Sequence, residues 1–213
     1  MRRMTRKHQV PASVKDERLI EKRRDQMVKG AVSLFKKKGF HRTTTREIAK
    51  ASGFSIGTLY EYIQTKEDVL YLVCDSIYDQ VSNRLDDIVQ QAPPTIDSLK
   101  WTIRNFFKVV DELQDEILVM YQEVKSLPKD ALSYVLNKEL ELVSIFERVI
   151  EGCVRNGQFH LTSEEIHLLS HHIFVQGQMW AFRRWALHRC YSLEEYTDMQ
   201  MKFLLYNLAS ENK

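Results

Sequence analysis

At 213 residues, of which 44% are apolar, the chain is long enough to bury one large or two small cores. No apolar run approaches a membrane span and the N-terminus lacks the apolar core of a signal peptide, so no membrane partner is expected and a cytoplasmic protein is. Charge is unevenly spread: residues 1–50 hold 16 Lys/Arg against 5 Asp/Glu, whereas residues 51–213 hold the remaining 15 against 24, which points to a basic end for a polyanion and an acidic remainder.

Helix breakers are scarce, with 4 Pro and 7 Gly, and helical apolar spacing runs throughout. An all-α fold of about nine helices is expected. Cys74, Cys153 and Cys190 are far apart and form no CxxC pair, so they read as free thiols of a reducing compartment. Residues 1–15 form a basic arm without periodicity, interrupted by Pro11 and expected to be disordered off DNA; Arg2, Arg3, Arg6 and Lys7 suit phosphate or minor-groove contact. The first helix follows from residue 16 to 38. Its stripe of Val28, Ala31, Val32 and Phe35 recurs at i, i+3, i+4, i+7. Lys36, Lys37 and Lys38 complement the dipole at its end, and Gly39 closes it.

Residues 39–68 carry the densest local signals. Thr44 and Glu47 form a capping box ahead of a short helix with Ile48, Ala49 and Ala51. Ser52-Gly53 stops that helix, Phe54 turns an apolar group inward, and Ser55 caps the next. Thr65 and Asp68 make a second box for a further helix. Helix, tight turn, helix is the unit that places its second helix in a DNA major groove. That second helix begins with Ser55, Gly57, Thr58 and Tyr60, small or hydroxyl-bearing groups that allow close approach to phosphates and reach base edges. An ordinary helical hairpin with a polar surface is the competing explanation.

The run Gly39-Phe40, Thr43-Thr44, Ile48-Ala49, Gly53-Phe54, Gly57-Thr58-Leu59-Tyr60, Tyr62 and Lys66-Glu67 resembles the DNA-binding domain of the TetR/AcrR family of bacterial regulators. The match extends over about residues 22–75, with Ile63 where the family usually has Phe. The resemblance implies residues 16–65 as a helix-turn-helix domain and residues 66–213 as a ligand-binding and dimerisation domain. It implies a double-stranded DNA operator and a small-molecule effector as partners, and no catalytic residue. The expected DNA face is Thr44, Thr45, Arg46, Ser55, Ile56, Gly57, Thr58, Tyr60, Tyr62 and Lys66. Thr44, Ser55 and Lys66 are assigned to phosphates, and Arg46, Thr58 and Tyr60 to bases.

From Lys66 a long helix runs to about Gln91 with a stripe of Leu70, Val73, Ile77, Val81, Leu85 and Ile88, ended by Pro93-Pro94. In the family this helix is the lever whose tilt sets the spacing of the two recognition helices. Helices then follow over about 95–113, 115–126 and, with Pro128 in its first turn, up to Asn156. The apolar face of that third helix is read as Leu132, Val135, Leu136, Leu140, Phe146 and Ile150.

Capping boxes Thr162/Glu165 and Ser192/Glu195 open two last helices, at about 163–188 and 192–209. Their large groups, among them Leu168, Phe174, Trp180, Phe182, Trp185, Tyr196, Met199, Met201, Phe203 and Tyr206, exceed what one helical pair can bury. A homodimeric four-helix contact through these two helices is expected.

An apolar effector site with a few polar groups is expected from Trp101, Phe106, Met120, Tyr121, Phe146, Phe174, Gln178 and Arg183, each of which could equally be plain core. Tyr121, Ser126-Leu127-Pro128 and Gly157-Gln158-Phe159 resemble a subgroup that senses acyl-CoA or related lipid-metabolic thioesters. Arg148, Arg155, Arg183 and Arg184 are cations available for the phosphates of such a ligand. The alternatives are a multidrug-sensing repressor of an efflux gene, with Glu123 or another carboxylate facing a cation, and a metal-binding helical bundle. The metal alternative rests on Glu164-x-x-His167 with His171 and His172; a di-iron site needs a second such motif and none occurs, so no cofactor or metal is assigned.

Overall fold

The computed structural model describes residues 8–91 and 93–206, with the backbone alone at 86–91. Ten α-helices and one short 3-10 helix make up the described residues, and no strand is among them. The helices are α1 Glu17–Lys38, α2 Thr45–Ala51, α3 Ile56–Tyr60, α4 Lys66–Gln91, α5 Ile96–Glu112, α6 Gln114–Glu123, α7 Lys129–Arg155, α8 Ser163–Phe182, α9 Arg184–Leu187 and α10 Leu193–Leu205. The 3-10 turn Val124–Ser126 follows α6. The long helix expected to reach residue 188 stops at Phe182, because the backbone of Arg183 leaves the helical region (φ −107°, ψ 18°). That break accounts for one helix more than the sequence suggests. The arm at residues 1–7 and the chain end at 207–213 lie outside the described residues, as does the side chain of Ile88.

The termini obey local chemistry. Asp16 caps α1, accepting from the Leu19 amide. Thr44, Thr162 and Ser192 close three of the four expected boxes with Glu47, Glu165 and Glu195. At α4 the Asp68 carboxylate accepts from the Gln64 and Thr65 amides at 2.8 Å each, and the Thr65 hydroxyl accepts from Asp68 N. Gly53 and Gly157 take φ of +78° and +68° just past α2 and α7, the left-handed turn that glycine supplies without strain.

The chain divides into two compact units. The first takes the chain up to Ile77 together with Asp115–Lys138, and the second takes Tyr78–Gln114 and the chain from Glu139. These units cut the chain differently from a border at 65/66: α4 and α7 each contribute to both, and α6 lies in the unit that holds α1–α3. The core of the first unit is built from Met27, Ala31 and Phe35 of α1, Phe40, Ile48 of α2, Leu59 of α3, Ile63, and Leu70 of α4. Gly30 lets α1 and α2 meet; a Cβ there would stand 2.8 Å from the Ser52 hydroxyl and 3.2 Å from backbone.

In the second unit α5 packs on α8 and α10. Its centre is aromatic: Phe106 stacks on Phe174 at 5.3 Å and meets Phe146 edge-on at 5.3 Å. Trp180 donates to Asp111 at 2.7 Å, and the Tyr196 hydroxyl donates to the Gln176 carbonyl at 2.6 Å. The expected face of α7 is corrected: Leu136 and Leu140 are exposed, and Tyr134, Leu142, Val143, Ile145 and Val149 join Val135, Phe146 and Ile150 inside.

Candidate nucleic-acid interface

The surface of α2 and α3 is assembled by caps and one cross-helix bond. At the start of α2 the Thr44 hydroxyl accepts from the Glu47 amide, while the Glu47 carboxylate receives the Thr44 N–H at 2.9 Å. Lys38 Nζ sits 2.5 Å from the same carboxylate. The Lys38 ammonium first, then the Thr44 donors, hold the Glu47 carboxyl at about 2, well below the usual range. Ser55 caps α3 through the Thr58 amide at 3.0 Å, with the two hydroxyls 3.0 Å apart. The Thr45 and Tyr60 hydroxyls meet at 3.1 Å and tie the first turn of α2 to the last residue of α3.

Most of the expected DNA face is accessible to solvent. Thr44, Arg46, Ser55, Ile56, Gly57 and Tyr60 are exposed, and Thr45 and Thr58 are half-buried. Gly57 is informative because a Cβ there would meet only the Ser55 hydroxyl at 3.7 Å. Nothing within the free protein requires glycine at that helical site, although glycine disfavours helix.

Two of the assigned residues take other roles. Tyr62 is 3% exposed, so its ring belongs to the core and not to the interface. Lys66 is half-buried; its ammonium donates to the Phe40 and His41 carbonyls at 2.9 and 3.3 Å and lies 4.3 Å from the Phe40 ring centre. Two of its three hydrogens thus fix the turn ahead of α2. Arg24 is a residue that the sequence reading missed. Its guanidinium donates to the Tyr62 carbonyl at 3.1 Å and the Val10 carbonyl at 2.6 Å. The signal was legible: Arg24 stands one turn before Val28, a cation in line with the apolar stripe.

The expected effector residues fall in both units. Phe106, Phe146, Phe174 and Gln178 are buried in the second, whereas Met120 and Tyr121 belong to the first, Met120 buried and Tyr121 exposed. Trp101 is 56% exposed, and Arg183 is exposed with its guanidinium 5.0 Å from the Trp185 ring centre. Glu139, absent from the expected set, joins Gln178: burial pushes its carboxyl up, against hydrogen bonds from the Tyr78 hydroxyl (3.4 Å) and Gln178. Glu123 accepts from the Phe40 amide at 3.3 Å and so serves the turn after α1.

The metal alternative is not assembled. His167 Nδ1 bonds Glu147 at 2.6 Å and its ring meets His171 edge-on at 4.7 Å, while Glu164 is exposed. Among the described residues no group of three or more His, Cys, Asp or Glu is placed to hold a metal. No helix among them is long and apolar enough to cross a membrane.

Comparison with known proteins agrees with this geometry. The model of the bacterial regulatory proteins of the tetR family matches residues 28–71, and that of the tetracyclin repressor-like C-terminal domain matches residues 92–176. The HTH-type transcriptional regulator HbdR of Aromatoleum sp. (strain CIB) is 27% identical over 92% of this chain and 85% of its own length. The HTH-type transcriptional repressor KstR2 of Rhodococcus jostii (strain RHA1) is 24% identical over 76% of this chain and 79% of its own. Among solved structures, AibR in complex with isovaleryl coenzyme A and operator DNA shares the fold, with a TM-score of 0.71 and 18% identity over 85% of this chain and 97% of that one. The chain belongs to the TetR family and is a DNA-binding transcriptional regulator.

Proposed function

We propose that the chain is a homodimeric repressor that holds a palindromic operator through the exposed surface of α2 and α3 and leaves it when a small hydrophobic effector binds. The observation that carries the reading is that surface: exposed Ile56, Gly57 and Tyr60 beside capped hydroxyls, with a glycine that the free fold does not need. Thr44, Thr45, Arg46, Ser55, Ile56, Gly57, Thr58 and Tyr60 face the DNA, and Lys66 holds the turn behind them. Residues 1–15 serve as an accessory basic arm, 16–65 as the DNA-binding domain and 66–213 as the effector and dimer domain.

For the effector we favour an acyl-CoA or related thioester. KstR2 is named a repressor, and AibR was solved with an acyl-CoA and operator DNA. Within this chain, Phe106, Phe146 and Phe174 offer an apolar surround for an acyl chain. A Glu139 carboxyl shifted toward its protonated form suits a carbonyl acceptor better than a cationic drug.

The test recovers an operator from the organism's own DNA by selection with the wild-type chain, then measures its affinity for Tyr60→Ala and in the presence of candidate effectors. Tyr60→Ala is expected to abolish specific binding while sedimentation still shows the dimer. An acyl-CoA is expected to weaken operator binding by about 5- to 150-fold, the usual range of allosteric coupling. Unchanged affinity in Tyr60→Ala would remove α3 from the interface, and release by amphipathic cations alone would replace the thioester with the drug class.

A further inference from the structure

We infer that residues His8–Ser13 are a brace that positions the recognition helix α3, resting on the operator-binding reading above. The expectation of a disordered arm holds no longer for this stretch, which follows the surface of the first unit. At one end the Ser13 amide donates to the Glu61 carbonyl at 2.9 Å, and the Ser13 hydroxyl lies 3.3 Å from the same oxygen. Glu61 is the C-cap of α3. In the middle, Arg24 of α1 donates at once to the Val10 carbonyl (2.6 Å) and to the Tyr62 carbonyl (3.1 Å), clamping strap and helix end together. At the other end His8 Nδ1 is 2.7 Å from the Asp130 carboxylate at the start of α7, and its Nε2 is 3.9 Å from Asp68. The His8 ring meets Tyr71 of α4 edge-on at 4.8 Å. Asp68 is the carboxylate that also accepts from Gln64 and Thr65 and so closes the loop between α3 and α4.

The brace has a mechanical reason. Helix α3 has five residues and buries one of them, Leu59. A helix that short has no stability of its own, so its flanks decide where it lies. The N-terminal flank is held by the Ser55 cap, and the C-terminal flank, next to Tyr60, by the strap and Arg24. Pro11 restricts the strap before it docks and lowers the entropy lost on ordering. The segment His-Gln-Val-Pro-Ala-Ser carries no Lys or Arg. Its contribution to operator binding is therefore positional, separate from that of the cations that precede it in sequence. His8 is a positioning residue, and ordering α3 in advance removes a cost that DNA binding would otherwise bear.

The experiment uses the full chain and the operator selected by the wild type. Affinity is measured over a range of salt for His8→Ala, Ser13→Pro, His8→Gln and Ser13→Ala, with melting temperature followed in parallel. Ser13→Pro removes the amide that Glu61 needs, and Ser13→Ala keeps it. His8→Ala and Ser13→Pro are expected to weaken binding about three- to tenfold, the scale of one or two hydrogen bonds, with the slope of log affinity on log salt unchanged. His8→Gln, which can still donate to Asp130, and Ser13→Ala are expected to stay near wild type. Wild-type affinity in folded His8→Ala and Ser13→Pro, even at a lowered melting temperature, would overturn the brace; so would a loss accompanied by a shallower salt slope, which marks a phosphate contact. Failure of the wild-type chain to select any DNA would instead overturn the regulator reading.

Discussion

At the residue scale the interface depends on what each side chain has left to offer after folding. Tyr60 and Tyr62 stand two apart in one motif, yet Tyr60 is 50% exposed and Tyr62 is 3% exposed. Tyr60 is the last residue of α3, whereas Tyr62 lies in the turn that follows, so one ring is left at the surface and the other is buried in the core. Lys66 shows the same distinction for charge, because its ammonium is taken up by two carbonyls of the turn before α2. Gly57 gives the sharpest test. Gly57→Ala meets no protein atom closer than 3.7 Å and removes a helix-disfavouring residue, so the free protein is expected to gain about 0.5–1 kcal/mol, visible as a higher melting temperature. On the proposed interface, operator affinity is expected to fall at least about tenfold, because the methyl would stand where the DNA backbone is proposed to approach. A variant that is more stable and binds equally well would show that the glycine serves no interface.

At the element scale the caps and the stripes were legible, and the close contacts between helices were not. Thr44, Thr162 and Ser192 announce their helices because a capping box is a property of four consecutive residues. The contact of α5 with α8 has no such local mark. Gly177 lies in mid-helix, where glycine has no evident use, until Phe106 is seen against it: a Cβ would stand 2.4 Å from the ring. Because that ring is itself stacked on Phe174 and wedged by Phe146, it has nowhere to go. Gly177→Ala is therefore expected to destabilise the fold by about 1–3 kcal/mol, read by chemical denaturation, despite its better helix propensity. The break at Arg183 was illegible for a related reason. The run Phe182 to Cys190 contains neither Gly nor Pro, so no local rule stops the helix there.

At the scale of the whole molecule the open question for the sequence was which large groups a single chain can bury. Phe174, Trp180, Tyr196 and Met201 go inside their own protomer. Leu168, Val175, Trp185, Met199, Phe203 and Tyr206, all on or beside α8, α9 and α10, remain exposed. Apolar surface of that size is rarely left to water, and the proposed dimer would cover it. Phe203 is 71% exposed in the protomer. Phe203→Glu should cost the protomer little and turn the sedimenting species from dimer to monomer, with operator affinity lost alongside because a palindrome needs both halves. A dimeric Phe203→Glu variant would move the contact off this face.

The sequence alone determined the features that nearest neighbours decide: helical class from spacing, helix starts from caps, helix ends from Gly39 and Gly53, and the helix-turn-helix from residues 39–68. These depend on interactions across one or two turns, which a linear pattern records directly. Tertiary structure alone decided which side chains remain free. It placed Tyr62 in the core, engaged Lys66, set Gly177 against Phe106, grouped α6 with α1–α3, and laid His8–Ser13 along the first unit. Each of these joins residues far apart in sequence, such as His8 and Asp130. The partner that satisfies or crowds a group is then fixed by the packing of whole helices, about which local periodicity carries no information.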